Sequence, residues 1–272
     1  MQINKTKISI ITVSFNTSDV IEKTIQSVIN QIYPNIEYII IDGGSTDGTV
    51  DIIKKYEDKI AYWVSESDKG IYDAMNKGIK KATGDWINFI NSGDYLLDSN
   101  VILKFMELHD PNADIVYGDT KISISNIQVS YIHKPEPLKL IEQKMVFGHP
   151  SAFVKSELMK TELFDTSFRS SGDYYFFIQC YRNYKSFQYI PITISVFDYG
   201  TGISSNFKIN RHEKARIQGV EHKISWKIKY TIEYIIFKFR NLIKNNLPKS
   251  IVKKYFLKRI NKYNNIFFDE NC

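Results

Sequence analysis

The first 120 residues alternate between short apolar runs of strand length and longer segments with apolar residues at helical spacing. Ile8–Ser14, Ile36–Ile41, Ile60–Ser65, Asp85–Ile90 and Asp114–Tyr117 read as strands. Between them, Asp19–Gln31, Gly48–Tyr56, Ile71–Lys81 and Ser99–His109 read as helices. In Asp19–Gln31 the repeat is carried by Val20, Ile21, Ile25, Val28 and Ile29. Strands that are apolar on both faces and separated by helices demand a largely parallel sheet covered on both sides. The expected class is therefore α/β, a mostly parallel sheet between helices. In such sheets ligands gather beyond the carboxyl ends of the strands.

Those ends are unusually polar. The first strand runs into Ser14-Phe15-Asn16 and the second into Asp42-Gly43-Gly44-Ser45-Thr46-Asp47-Gly48-Thr49. The third runs into Glu66-Ser67-Asp68-Lys69-Gly70 and the fourth into Asn91-Ser92-Gly93-Asp94. Each cluster alone reads as a turn or a helix cap, and for Asp47 the cap is the better reading. Converging at four neighbouring strand ends, however, the carboxylates repel one another. A divalent cation or a ligand rich in hydroxyls relieves that repulsion.

The remainder is less regular. Lys121–Pro137 reads as irregular or hairpin structure, Phe147–Val154 as a strand, Tyr174–Tyr184 as a helix, and Phe187–Phe197 as one or two strands. Past Asn206 the chain turns helical and basic, with Pro248 separating helices near Ile224–Ile243 and Ser250–Ile260. Of the net charge of +6, residues 208–272 carry sixteen Lys/Arg against five Asp/Glu, so the main body is net acidic. Such asymmetry turns the last quarter toward an anionic partner. Across 226–262, Ile228, Ile232, Ile235, Ile236 and Phe239 recur at helical spacing with Lys227, Lys238 and Lys244 at the flanks. This pattern suits either an amphipathic helix on an anionic membrane surface or a helix packed on the core with a solvated basic face. A nucleic-acid partner fits the charge but has no accompanying motif, so none is expected.

The absence of a long uncharged apolar stretch argues against a bilayer-spanning helix. Residues 1–7 contain no signal-peptide core. Two cysteines, Cys180 and Cys272, are too few for a disulfide framework or a zinc site. A cytoplasmic setting follows, with peripheral attachment to the inner face of the membrane if the basic region binds lipid.

The ordered series of motifs resembles the nucleotide-sugar half of the inverting family 2 glycosyltransferases, which have the GT-A fold. The series comprises Phe15-Asn16, Ser27 and Gln31, the turn Asp42–Thr49, then Gly70, Asn76 and Gly78, and the step Ala82–Asp85. The likeness is marked over Ile8–Asp94 and extends more weakly to about residue 205. It implies a GT-A domain over 1–205, with a nucleotide-sugar half (1–120) and an acceptor half (121–205), followed by a basic helical region over 206–272. It also implies transfer of a sugar from a nucleotide-sugar donor, a UDP-sugar for preference, to a glycan or lipid-linked acceptor in bacterial surface-polysaccharide assembly.

By the same resemblance, Phe15 lies against the base or ribose, with Asn16 beside it, and Asp42 accepts hydrogen bonds from one of them. Asp68 and Asn76 join the donor site; His149, read from its place on a turn before a strand rather than from the resemblance, is a further candidate for the diphosphate or for the metal shell. Asp94, with Asn91 as a weaker participant, serves a Mg²⁺ or Mn²⁺ ion on the diphosphate. Asp173, opening a helix in Ser171-Gly172-Asp173-Tyr174, is the general base, with an N-cap role as its structural alternative. Three departures stand out. Gly43 replaces a frequent second Asp, Asn91-Ser92-Gly93-Asp94 replaces Asp-x-Asp, and no Glu precedes Asp173. Arg169 and the glycine-bearing loop 200–204 are further candidates for contact with substrate. The competing readings are a nucleotidyltransferase, which lacks its phosphate loop here, and a non-catalytic nucleotide- or glycan-binding protein on the same scaffold.

Overall fold

The computed structural model describes residues 6–124, 127–198, 206–248, 250–254 and 266–268. Loop 200–204 and Cys272 lie outside the described residues.

The N-terminal half is built from β1 (Ile8–Ser14), α1 (Ile21–Ile29), β2 (Ile36–Asp42), α2 (Thr49–Lys54), β3 (Tyr62–Ser65), α3 (Ile71–Lys81), β4 (Trp86–Phe89), β5 (Tyr95–Leu96) and α4 (Val101–Leu108). The remainder comprises β6 (Ile115–Ile124), β7 (Val129–His133), β8 (Ala152–Lys155), α5 (Ser156–Thr161), α6 (Gly172–Arg182), β9 (Phe187–Asp198), α7 (Phe207–Ile217), α8 (Ile224–Asn246) and β10 (Ile266–Phe268). One sheet runs in the order β10-β7-β6-β8-β4-β1-β2-β3, with β9 beside β6 and β5 beside β9. β1 to β4 pair in parallel, whereas β8 joins β4 and β6 antiparallel.

Period-two alternation divides the apolar residues between two cores. Ile8 and Ile10 of β1, with Tyr38 and Ile40 of β2, face α1, α2 and α4. Ile11 and Val13, with Ile39 and Ile41, face α3, α5 and α6. This burial on both faces is what makes β1 and β2 unbroken apolar runs.

The expected strand over Phe147–Val154 begins later. Pro150 fixes a 3-10 turn over His149–Ser151, and pairing starts at Ala152. The expected strand ending at Tyr117 continues to Ile124, and Lys121–Pro137 is a hairpin closed by antiparallel β6 and β7. The basic C-terminal region is not wholly helical, because Ile266–Phe268 adds a strand to β7.

In α8, Trp226 and Tyr230 pack on His212, and Phe237 stacks on Phe207 with ring centroids 4.6 Å apart. The aromatic edge is thus used against α7. The aliphatic stripe of Ile228, Ile232, Ile235, Phe239 and Leu242 is left more than half exposed. Among the described residues no helix is long and apolar enough to cross a membrane.

Candidate functional site

A cleft of about 200 Å³ opens beyond the carboxyl ends of β1 and β4. Asn91, Ser92, Gly93 and Asp94 line one side, from the turn after β4. The first turn of α3 (Ile71, Tyr72), the His149–Pro150 turn, Arg169, Ser170 and Asp173 line the other, and Phe197–Asp198 at the end of β9 complete it. The joining of the parallel N-terminal half to a mixed second half brings the starts of α3 and α6 to these strand ends.

Asp173 lies in the first turn of α6, where the N-cap position is held by Ser171. The cap alternative for Asp173 is therefore not realised. Its Oδ1 accepts from the Tyr72 hydroxyl at 3.0 Å, and its Oδ2 lies 3.8 Å from Nδ1 of His149. Tyr72 approaches so closely that a Cβ at residue 172 would lie 2.8 Å from its ring. That contact explains glycine at the position before Asp173: the tyrosine ring fills the space a side chain there would need. Burial, then the charge of Asp173, push the Tyr72 hydroxyl well above its usual range, so it stays a donor. Burial lowers the His149 pKa although Asp173 opposes it, so the imidazole is neutral near pH 7. Its Nε2 is buried without a hydrogen-bond partner, and the ring is flanked by Phe89, Phe164 and Phe177.

Burial and the neighbouring Asp198 carboxylate push Asp94 well above the ordinary carboxylate range. The Oδ1 of Asn91 is buried with no partner. An orphaned carbonyl oxygen beside two carboxylates is a hard, oxygen-only donor set, which suits Mg²⁺ or Mn²⁺ better than a softer metal. It is an open half-shell. Among the described residues no group of three His, Cys, Asp or Glu side chains could hold a metal ion. The residues present fit a cation that takes its remaining ligands from a diphosphate and water.

A second cluster lies at the ends of β1, β2 and β3. Phe15 is 61% exposed, an unusual position for a large aromatic side chain. It borders Gly43, where a Cβ would lie 3.3 Å from Phe15 Cδ2 and 2.5 Å from Asp68 Oδ2. The Asp68 carboxylate thus occupies the place a side chain at residue 43 would take, which accounts for the first departure. Asn16, at φ +50°, ties its loop to the next: its N–H donates to Ser45 Oγ and its Oδ1 accepts from Thr46 N–H.

Two expected donor-site residues need correction. Asp42 is fully buried. Its carboxylate accepts from the hydroxyls of Ser14, Ser45 and Ser65 and from the N–H groups of Gly44 and Ser45. Burial raises its pKa, but these bonds more than offset that and hold it below the usual range. Asp42 shapes the loop rather than presenting an oxygen to a ligand. Asn76 is also buried, and its carboxamide both donates to and accepts from the main chain of Phe164. It fastens α3 to the segment before α6 and does not line the cleft. Ser27 and Gln31 are likewise engaged, holding α1 to residues 96–102.

Sequence reasoning missed Tyr72 and Asp198. Tyr72 sits at an apolar position of an amphipathic helix and reads as core. Asp198 carried a usable signal, a carboxylate ending a strand, on a strand beyond the first four.

Glycosyl transferase family 2 matches residues 9–178, which include every residue of the cleft except Phe197 and Asp198. The chain belongs to that family. This glycosyltransferase is 27% identical over 205 residues to a PGL/p-HBAD biosynthesis glycosyltransferase of Mycobacterium bovis, covering 72% of this chain and 78% of that one. Its fold is similar to that of TarS from S. aureus, solved with UDP-GlcNAc, with a TM-score of 0.61 and 18% identity over 79% of this chain and 71% of that one. It is also similar to the mannosyltransferase PcManGT from Pyrobaculum calidifontis, solved with GDP-Man and Mn²⁺. There the TM-score is 0.57 and the identity 19%, over 78% and 61% of the two chains. The GT-A architecture of the glycosyltransferase thus agrees with the expectation from its motifs.

Proposed function

We propose that this glycosyltransferase moves a sugar from a nucleoside-diphosphate donor to a hydroxyl of a glycan or lipid-linked acceptor, with inversion at the anomeric carbon. The reading rests on one observation: Asn91 and Asp94 from the end of β4 share a cleft with Asp173 from the start of α6. Phe15 and Asp68 supply a face and a carboxylate for the nucleoside. Asp173 takes the proton of the acceptor hydroxyl as its oxygen bonds to the anomeric carbon. The bond from that carbon to the diphosphate oxygen breaks, and its electron pair leaves with the diphosphate. Tyr72 orients the carboxylate of Asp173 through its hydroxyl. Asn91, Asp94 and Asp198 would hold a divalent cation, which when bound neutralises charge on the leaving diphosphate.

The test is a thermal-shift series with UDP, GDP, CMP and dTDP, each with and without Mn²⁺. One nucleotide should stabilise the protein, more so with metal, and Asp94→Ala should remove the metal-dependent part. No shift with any nucleotide at millimolar concentration would overturn the reading.

The acceptor half of the proposal draws on α8. Its aliphatic stripe is exposed on a strongly basic segment, the combination that binds anionic lipid surfaces. The intact protein should sediment with vesicles of anionic phospholipid and not with neutral ones. The double variant Ile232→Glu/Ile235→Glu should stay in the supernatant with its melting midpoint unchanged. Equal sedimentation of that variant would remove the membrane surface from the proposal.

A further inference from the structure

The helix start that carries Asp173 is held by a residue from outside the matched family region. Ser171 makes no side-chain cap at the N-terminus of α6, and the hydroxyls of Ser170 and Ser171 are buried without partners. The amide groups at a helix start need acceptors from elsewhere. Glu213 on α7 supplies one to the N–H of Ser171, the N-cap, and binds the two amides before it as well. Its Oε1 accepts from Arg169 N–H at 2.6 Å, and its Oε2 from the N–H groups of Ser170 and Ser171 at 2.9 and 2.8 Å. One carboxylate thus binds three successive amides, in the short charge-assisted geometry that is strongest for such bonds.

Glu213 is itself held in place. On the same helix, Arg216 donates to Ser167 Oγ at 2.7 Å and lies over the Phe168 ring at 4.3 Å. Gln218, just past the end of α7, donates to the carbonyl of Gln143 at 2.6 Å. Upstream, Arg211 pairs with Glu233 of α8. The turn 169–171 is therefore clasped by a braced element, two residues from Asp173.

We propose that Glu213 is a positioning residue for Asp173. By binding the amides of 169–171 it fixes where α6 begins, and so the direction of the Asp173 carboxylate into the cleft. The inference rests on the reading of Asp173 as the base. A displacement of the base by about 1 Å is enough to cost about a hundredfold in rate.

The test uses the full chain. The readout is release of nucleoside diphosphate from UDP-glucose, UDP-GlcNAc and GDP-mannose, with water as the acceptor probe. Glu213→Ala should lower kcat about ten- to a hundredfold, with KM for the donor and the nucleotide-induced thermal shift unchanged. Glu213→Gln, keeping one acceptor oxygen, should fall between. In an Asp173→Asn background, Glu213→Ala should add less than about a twofold loss, because the group it positions is gone. Full kcat in Glu213→Ala or Glu213→Gln would overturn the proposal. So would an equal loss in the Asp173→Asn background. Full activity of Asp173→Asn alone would instead overturn the base assignment. If Glu213→Ala does not fold, Glu213→Gln is judged by the same criteria.

Discussion

The two ends of the parallel strands treat buried carboxylates in opposite ways. At the amino-terminal end, Glu37 accepts from the Lys7 ammonium, the Ser9 hydroxyl, and both the N–H and hydroxyl of Thr83. Burial raises its pKa, but these partners outweigh it and bring the carboxyl down to about 2. At the carboxyl end, Asp94 is buried beside another carboxylate and pushed upward, and Asn91 keeps an orphaned oxygen. Partners that belong to the chain stabilise the fold. Groups left wanting partners mark where a ligand belongs.

The contrast can be broken from either end. The largest effect should come from Asp173→Asn, with kcat lowered by about a thousandfold, in the middle of the range for a lost general base. Its melting midpoint should stay within a degree or two of the parent. A large loss of stability would mean that Asp173 belongs with Glu37 as a structural carboxylate.

The smaller effect should come from Glu37→Gln, which should lose about 1–3 kcal/mol of unfolding free energy in urea at pH 7 with little change in kcat. The pH dependence sharpens the comparison. The folded pKa of Glu37 lies below the unfolded value of about 4.5. Its contribution is therefore complete above pH 4.5 and is lost as pH falls toward 2. Urea titrations over that window should show a decline in the parent that is shallower in Glu37→Gln. Parallel declines in the two proteins would remove Glu37 from the ledger of acid stability.

The N-terminal half was legible because its strands are buried on both faces and its helices carry a clear 3.6-residue period. β5, with two residues, and α5, with six, are too short to leave a period. One of the polar clusters, Asn91–Asp94, lines the cleft. The clusters did not show which of their groups are free: Asp42 and Asp68 look equivalent in sequence, yet Asp42 is fully engaged by serines while Asp68 borders exposed Phe15. That distinction depends on hydroxyls from three separate strand ends. The departure at Gly172 likewise becomes intelligible only through Tyr72, a hundred positions earlier. Glu213 left no sequence signal, since its partners are main-chain amides 42 to 44 residues away.

The order of these parts along the chain has a consequence for synthesis. Translation delivers every strand of the N-terminal half first and Asp173 next, but the clasp on its turn only some forty residues later. On the ribosome the turn 169–171 therefore emerges before the carboxylate that binds its amides.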